Sequence, residues 1–241
     1  MDLNTFMGKC TRTEFVGTSV LDTIGLVISG IDGTLLSKMN VGKKYKAIGM
    51  ISARTGAAGQ LTAMDDAVKA SNTELLAVDL PRDTKGGGGH GCLITIGGTD
   101  ISDVREAIAL GLELTKKYSG EVYVSDGGHL EFAYSASAGA VLQKALGAKP
   151  NQAFGFMAAC PAGIGLVMAD SAVKASAVEI VNYMTPSIGT SHTNEVIAAF
   201  SGDAGAVKSA VLEARKVGLA LLPAVGYPVS RVGVSYLSEG L

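Results

Sequence analysis

The 241-residue chain has no tryptophan, and aromatic residues make up only 5% of it. A surface that binds single strands by stacking bases on rings is therefore excluded on composition. A basic surplus is missing too. Twenty Lys and Arg face 22 Asp and Glu, a formal net charge of −2, which leaves nothing to neutralise a phosphate backbone, so nucleic acid is not an expected partner. Cysteine is scarce: Cys10, Cys92 and Cys160 form an odd, widely spaced set without a C-x-x-C pair. They make neither a disulfide framework nor a zinc site, and they suit a reducing cytoplasm. The N-terminal Met1-Asp2-Leu3-Asn4-Thr5-Phe6 carries an early acid and lacks the basic-then-apolar order of a secretory leader. No apolar run reads as a membrane span. Pro150 to Ala169 is uncharged, but Gly155, Pro161, Gly163 and Gly165 interrupt it, so a strand, a turn and the start of a buried helix are expected there. These absences predict a cytoplasmic protein.

What is present is a core-forming composition and an internal repeat. Hydrophobic residues make up 47% and charged ones 17%, enough apolar surface for a packed core. Gly33-Thr-Leu-Leu-Ser-Lys38 matches Gly139-Ala-Val-Leu-Gln-Lys144, and Ala47-Ile-Gly49 matches Ala153-Phe-Gly155 at the same spacing. Asp65-Asp-Ala-Val-Lys-Ala-Ser71 and Asp170-Ser-Ala-Val-Lys-Ala-Ser176 agree at six of seven positions, and Val104-Arg105 matches Val207-Lys208. Self-similarity at this distance marks a duplicated unit. The first copy is bounded at 14–119 and the second at 129–226, with 1–13 and 227–241 as terminal extensions and a Gly- and Ser-bearing link around Ser119–Gly128.

Within the first copy, Ala47–Ala53, Glu74–Leu80 and Cys92–Gly97 are short apolar runs suited to strands. Gln60–Ser71 places Leu61, Met64 and Val68 at helical spacing, and a second helix runs to Tyr118 with Ser102 as its expected N-cap. Between the second and third strands lies a polar loop, 82–91, and its counterpart is 185–194. The fold class is α+β, with helices packed on one sheet in each copy.

Enzyme motifs are lacking. There is no G-x-S-x-G elbow, H-E-x-x-H pair or phosphate loop. His90 and His192 fall in corresponding loops and His129 lies apart from both. They read as inherited loop histidines rather than a catalytic or metal set, so neither catalysis, a metal nor a cofactor is expected.

The paired D-x-A-V-K-A-S strings, Gly202-Asp-Ala-Gly-Ala-Val-Lys208 and the glycine-rich loop resemble the bacterial microcompartment shell domain. Two copies in one chain are similar to tandem-domain, trimer-forming shell proteins. Pro81-Arg-Asp-Thr-Lys-Gly-Gly-Gly-Gly-His-Gly91, Glu14-Phe-Val-Gly-Thr18 and Asp22-Thr-Ile-Gly-Leu-Val27 narrow the likeness to shell protein B of propanediol- and ethanol-utilising compartments (PduB/EtuB type). The resemblance implies circularly permuted domains and a pseudo-hexameric homotrimer that tiles with other shell proteins, both hexamers and pentamers. It also implies a central opening, a smaller channel between the lobes, and encapsulated enzymes as neighbours.

For Lys69 and Lys174, spacing alone suggests solvated ion pairs with Asp65 and Asp170, whereas the resemblance puts both lysines at the shell edge. Thr84, Lys85, Gly86, Gly87, Gly88, Gly89 and His90 in one loop are pore-lining candidates. So are Ser187, Gly189, Thr190, Ser191, His192 and Asn194 in the other. Free backbone groups and uncharged hydrogen-bonding side chains suit transient contact with small alcohols or diols. Read without the family, such loops are ordinary surface turns. The rival functions are a small-molecule-binding regulator with tandem α+β lobes and a histidine-dependent enzyme.

Overall fold

The computed structural model describes residues 13–42, 44–81, 91–189 and 193–237. The first copy runs β1 (Thr13–Ser19), β2 (Thr23–Ser29), α1 (Gly33–Lys38), β3 (Ala47–Ala53), α2 (Ala58–Lys69), β4 (Glu74–Asp79), β5 (Cys92–Gly98) and α3 (Ile101–Tyr118). The second repeats this order as β6 (Val122–Ser125), β7 (Gly128–Ser135), α4 (Ala140–Leu146), β8 (Ala153–Cys160), α5 (Ala162–Ala175), β9 (Glu179–Met184), β10 (Val196–Gly202) and α6 (Ala204–Leu221). One sheet has the order β1-β2-β3-β5-β4. The other has β6-β7-β8-β10-β9, with the short β11 (Ser230–Arg231) added beside β6.

The likeness extends to register. Gly49 on β3 faces Ile96 of β5, and Gly155 on β8 faces Phe200 of β10. Pairing shifts between Leu75 and Ala77 on β4, and a matching irregularity falls between Ile180 and Asn182 on β9. A bulge kept at the same place in both copies marks one inherited backbone.

Each sheet is covered on one face by two helices: α2 and α3 on the first, α5 and α6 on the second. Glycine sets how closely the long helices lie. A Cβ on Gly49 would stand 2.7 Å from both Val104 and Ile108 of α3, and one on Gly155 would stand 2.7 Å from Val211 of α6. Branched residues on the helix fill the space that glycine leaves on the central strand, which is why Gly recurs there in both copies. The N-cap of α3 is Asp100 rather than Ser102. Its carboxylate accepts the Ser102 N–H at 2.8 Å, and the negative charge suits a helix N-terminus.

The stretch Ser119–Gly128, expected as a link, is not a spacer. It forms a 3-10 turn (Ser119–Glu121) and then β6, an integral strand of the second sheet. Residues 227–237 also join that lobe. Arg215 Nη1 on α6 donates to Glu121 at 2.9 Å and to the Leu237 carbonyl at 3.0 Å. Glu121 in turn accepts the Leu237 N–H at 3.0 Å and also the Ser235 hydroxyl. Leu237 is buried, and the Tyr236 hydroxyl accepts the Tyr134 N–H at 3.0 Å.

Both ions of the Arg215–Glu121 pair are buried. Arg215→Leu leaves a carboxylate without its cation in a dry setting. The expected loss is about 3 kcal/mol of stability by denaturant titration, with residues 227–237 losing hydrogen-exchange protection first.

Candidate functional site

The two copies meet along a seam in which α2 of the first lobe lies across β7 and α4 of the second. Its interior is apolar. Leu61, Val141, Leu142, Leu146, Phe156 and Ile197 belong to one buried cluster that runs from the first lobe into the second. Inside such a seam, the free N–H groups at a helix start need partners. Buried carboxylates supply them from the opposite lobe.

At one end, Asp65 accepts N–H groups from Gly139 (2.8 Å), Val141 (3.1 Å) and Leu142 (3.2 Å), so a residue of the first lobe caps α4 of the second. Lys69 Nζ stands 2.7 Å from Asp65, donates to the Ser137 carbonyl at 2.5 Å, and lies 3.3 Å from Asp66. Asp66 also accepts the Tyr118 hydroxyl, and that phenol is held un-ionised chiefly by burial. Beside this group opens a cavity of about 440 Å³ lined by Lys69, Tyr118, Tyr134, Ser137 and Tyr236.

At the other end, Glu131 accepts the N–H groups of Ala57 and Ala58, each at 3.4 Å, at the start of α2. Full burial pushes its carboxyl above the usual range, while nearby His129 acts in the opposite direction. His129 Nε2 stands 3.7 Å from Glu195 and 4.0 Å from Glu131. Gln60 Nε2 donates to Thr23 Oγ1 at 3.0 Å. Leu80 and Glu195 line one crevice with Glu131, so the chain leading into loop 82–90 and the chain leaving residues 190–192 converge on this end of the seam.

The candidate residues are placed unequally. Thr84, Lys85, Gly86, Gly87, Gly88, Gly89 and His90 lie outside the described residues, as do Thr190, Ser191 and His192. Ser187 and Gly189 belong to an exposed turn closed by Thr185 N–H to the Ile188 carbonyl at 2.9 Å, with Gly189 at φ +71°. Asn194 is exposed, and its Oδ1 accepts the Ala162 N–H at 3.4 Å at the start of α5. Lys174 is also exposed, with only Asp170 beside it at 2.6 Å, whereas Lys69 is bound into the lobe seam. Among the described residues, no cluster of three His, Cys, Asp or Glu is arranged to hold a metal, and no helix is long and apolar enough to cross a membrane.

The sequence reading missed the reach of Asp65 and Glu131 across the seam. The i,i+4 spacing of Asp65 and Lys69 hides a second set of partners far along the chain. The one available signal was the helix start at Gly139, which follows Ala138 and so has no capping side chain of its own. Replacing Asp65 with Ala removes the α4 cap and strands Lys69. The expected loss is about 2 kcal/mol in a chemical melt, whereas Asp170→Ala in the isolated chain changes stability little.

The BMC domain family model matches residues 47–126 and again 153–229. The chain is 46% identical to the bacterial microcompartment shell protein PduB of Citrobacter freundii over 229 residues, 95% of this chain and 85% of that protein. Among solved structures, EtuB from Clostridium kluyveri superposes with a TM-score of 0.90 at 45% identity, over 93% of this chain and 99% of that one. A trimeric microcompartment shell protein PduB superposes with a TM-score of 0.88 at 48% identity, over 92% of this chain and 99% of that one. With its repeated sheets and both halves matched by one domain model, the chain belongs to the BMC-domain family as a tandem-domain shell protein similar to PduB and EtuB.

Proposed function

We propose that three copies of this chain close into a ring of six lobes, a pseudo-hexagonal plate in the shell of a microcompartment for alcohol or diol metabolism. The role is structural and conductive rather than catalytic. The observation that carries this reading is the repeat itself: two lobes with the same strand order, register and bulge, locked side by side through a buried seam. A rotation that relates successive lobes generates a closed ring when it is repeated. The trimeric PduB and the EtuB structure, alike along nearly the whole chain, support the same arrangement. The proposed domain bounds are 14–119 and 129–226.

The plate would tile with hexameric and pentameric shell proteins and face encapsulated enzymes on one side. Lys174, exposed at the end of α5, and Lys69 at its counterpart position are proposed edge contacts. The glycine-rich loop (Thr84, Lys85, Gly86–Gly89 and His90) and the loop bearing Ser187, Gly189, Thr190, Ser191, His192 and Asn194 are proposed to line openings for small polar metabolites. Uncharged donors and acceptors replace part of an alcohol's water contacts without retaining it, which a conduit requires.

Purified chain imaged by negative-stain electron microscopy is expected to form threefold particles that pack hexagonally. A monomer under these conditions overturns the reading. Lys174→Ala is expected to leave those particles intact while reducing ordered sheets, and unchanged tiling argues against the edge role. Gly88→Phe is expected to slow diol consumption by intact compartments, with turnover by the released enzymes unchanged. An equal rate in intact compartments removes the loop from the pore.

A further inference from the structure

The lobe seam has two sides, and the molecule carries an unused copy of each. Because the lobes are equivalent, α5 presents outward the face that α2 presents to the second lobe. The first sheet likewise presents outward the face that in the second sheet lies under α2. Leu61 and Thr62 on α2 are 0% and 1% exposed, whereas Leu166 and Val167, at the matching positions of α5, are 54% and 48% exposed. On the opposite side, Val141 of α4 is fully buried and its counterpart Leu35 of α1 is 48% exposed.

The sheets tell the same story. Ser52 pairs with Ile24 as Ala158 pairs with Glu131, and Met50 pairs with Leu26 as Phe156 pairs with Ala133. Glu131, Ala133 and Phe156 are buried under α2, while Ile24, Leu26 and Met50 are only half-buried. A half-buried apolar sheet face and a helix with two exposed apolar residues are the two halves of a seam already formed once in the molecule.

The polar parts of the seam differ between its two versions. Within the chain, both helix starts are capped across the seam: α4 by Asp65 and α2 by Glu131. At the unused faces both caps come from the same lobe. Asp32 accepts the N–H groups of Thr34 (2.8 Å) and Leu35 (3.1 Å) at the start of α1, in place of Ala138 before α4. Asn194 accepts the Ala162 N–H at the start of α5. The position of Glu131 is taken by Ile24, and Asp170 pairs with Lys174 on its own helix.

We propose that α5, through Leu166 and Val167, seats on the first sheet and α1 of a second copy of this chain, head to tail. The contact repeats the lobe seam with its two cross-seam caps replaced by local ones. The seam between copies is then almost wholly apolar and can open without orphaning a helix end, so each copy folds before it docks. A lobe seam that opened would instead leave two buried helix starts without acceptors, which costs several hydrogen bonds at once.

This inference deepens the ring reading and rests on it, and one experiment separates their failures. Native mass spectrometry is run on the full chain, on Leu166→Asp (α5 side), on Leu35→Asp (sheet side), and on a mixture of the two variants. The trimer is expected for the unaltered chain and monomers for each variant alone. Burying a charge in an apolar contact should weaken self-association roughly a hundredfold or more. The mixture is expected to give a one-to-one heterodimer and no larger species, because only one intact pair of faces remains. Val167→Glu repeats the α5 arm at a second position, and heterodimer formation itself shows that both partners are folded.

Asp170→Asn is expected to remain trimeric with less than about a threefold change in dissociation, in keeping with the small worth of an exposed ion pair. A monomeric unaltered chain overturns the ring reading. A trimeric unaltered chain whose Leu166→Asp and Leu35→Asp variants stay trimeric, or whose mixture stays monomeric, overturns the head-to-tail seam alone. A trimer lost on Asp170→Asn overturns the claim that its polar latch has been given up.

Discussion

Two buried carboxylates hold the arrangement on which everything else depends. Asp65 and Glu131 each end a helix of the opposite lobe, so neither lobe can leave the other without stranding N–H groups in an apolar seam. Around them a single apolar cluster runs from the first lobe into the second. The lobes therefore meet at one fixed angle, as a ring with defined closure requires. A looser, solvent-filled seam would let the angle vary, and successive copies would not return to their starting point.

Duplication followed by divergence explains why equivalent residues do unlike work. Gly49 and Gly155 keep one task in both copies, since each lets a long helix close on its central strand. Asp65 and Asp170 do not. The first is buried against the next lobe, and the second is exposed and paired within its own helix. The second lobe also has an added feature: residues 227–237 are tied to it by Arg215 and Glu121 beneath the turn that leads into β6. Connection and tail are thus both parts of that sheet's edge, and the chain has little that serves only as spacer.

A passage for small polar molecules fits this architecture because the convergence of loops follows from the seam. Leu80 and Glu195 share a crevice at one of its ends, which brings the chain flanking both candidate loops together without any further device. The polar groups nearest that crevice, His129, Glu131 and Glu195, sit close enough for their charges to be coupled. An electric field at the base of the loops follows from the way the helix starts are satisfied.

Strand order and the duplication were legible from local pattern. Apolar runs of strand length, helical stripes such as Leu61, Met64 and Val68, and the recurring D-x-A-V-K-A-S string depend on neighbours in the chain, and they determined the α+β repeat and its family. Tertiary structure alone decided that Ser119–Gly128 is largely β-strand. A strand as short as β6 carries too few residues to show a period, and it forms only because β7 and β11 pair with it. Asp65 and Lys69 looked identical to Asp170 and Lys174 because spacing along a helix records partners on that helix and none across a seam. Whether a carboxylate is buried against a neighbouring lobe or left in water is set by what packs on the helix, and that information lies more than seventy residues away, at Gly139 and Val141.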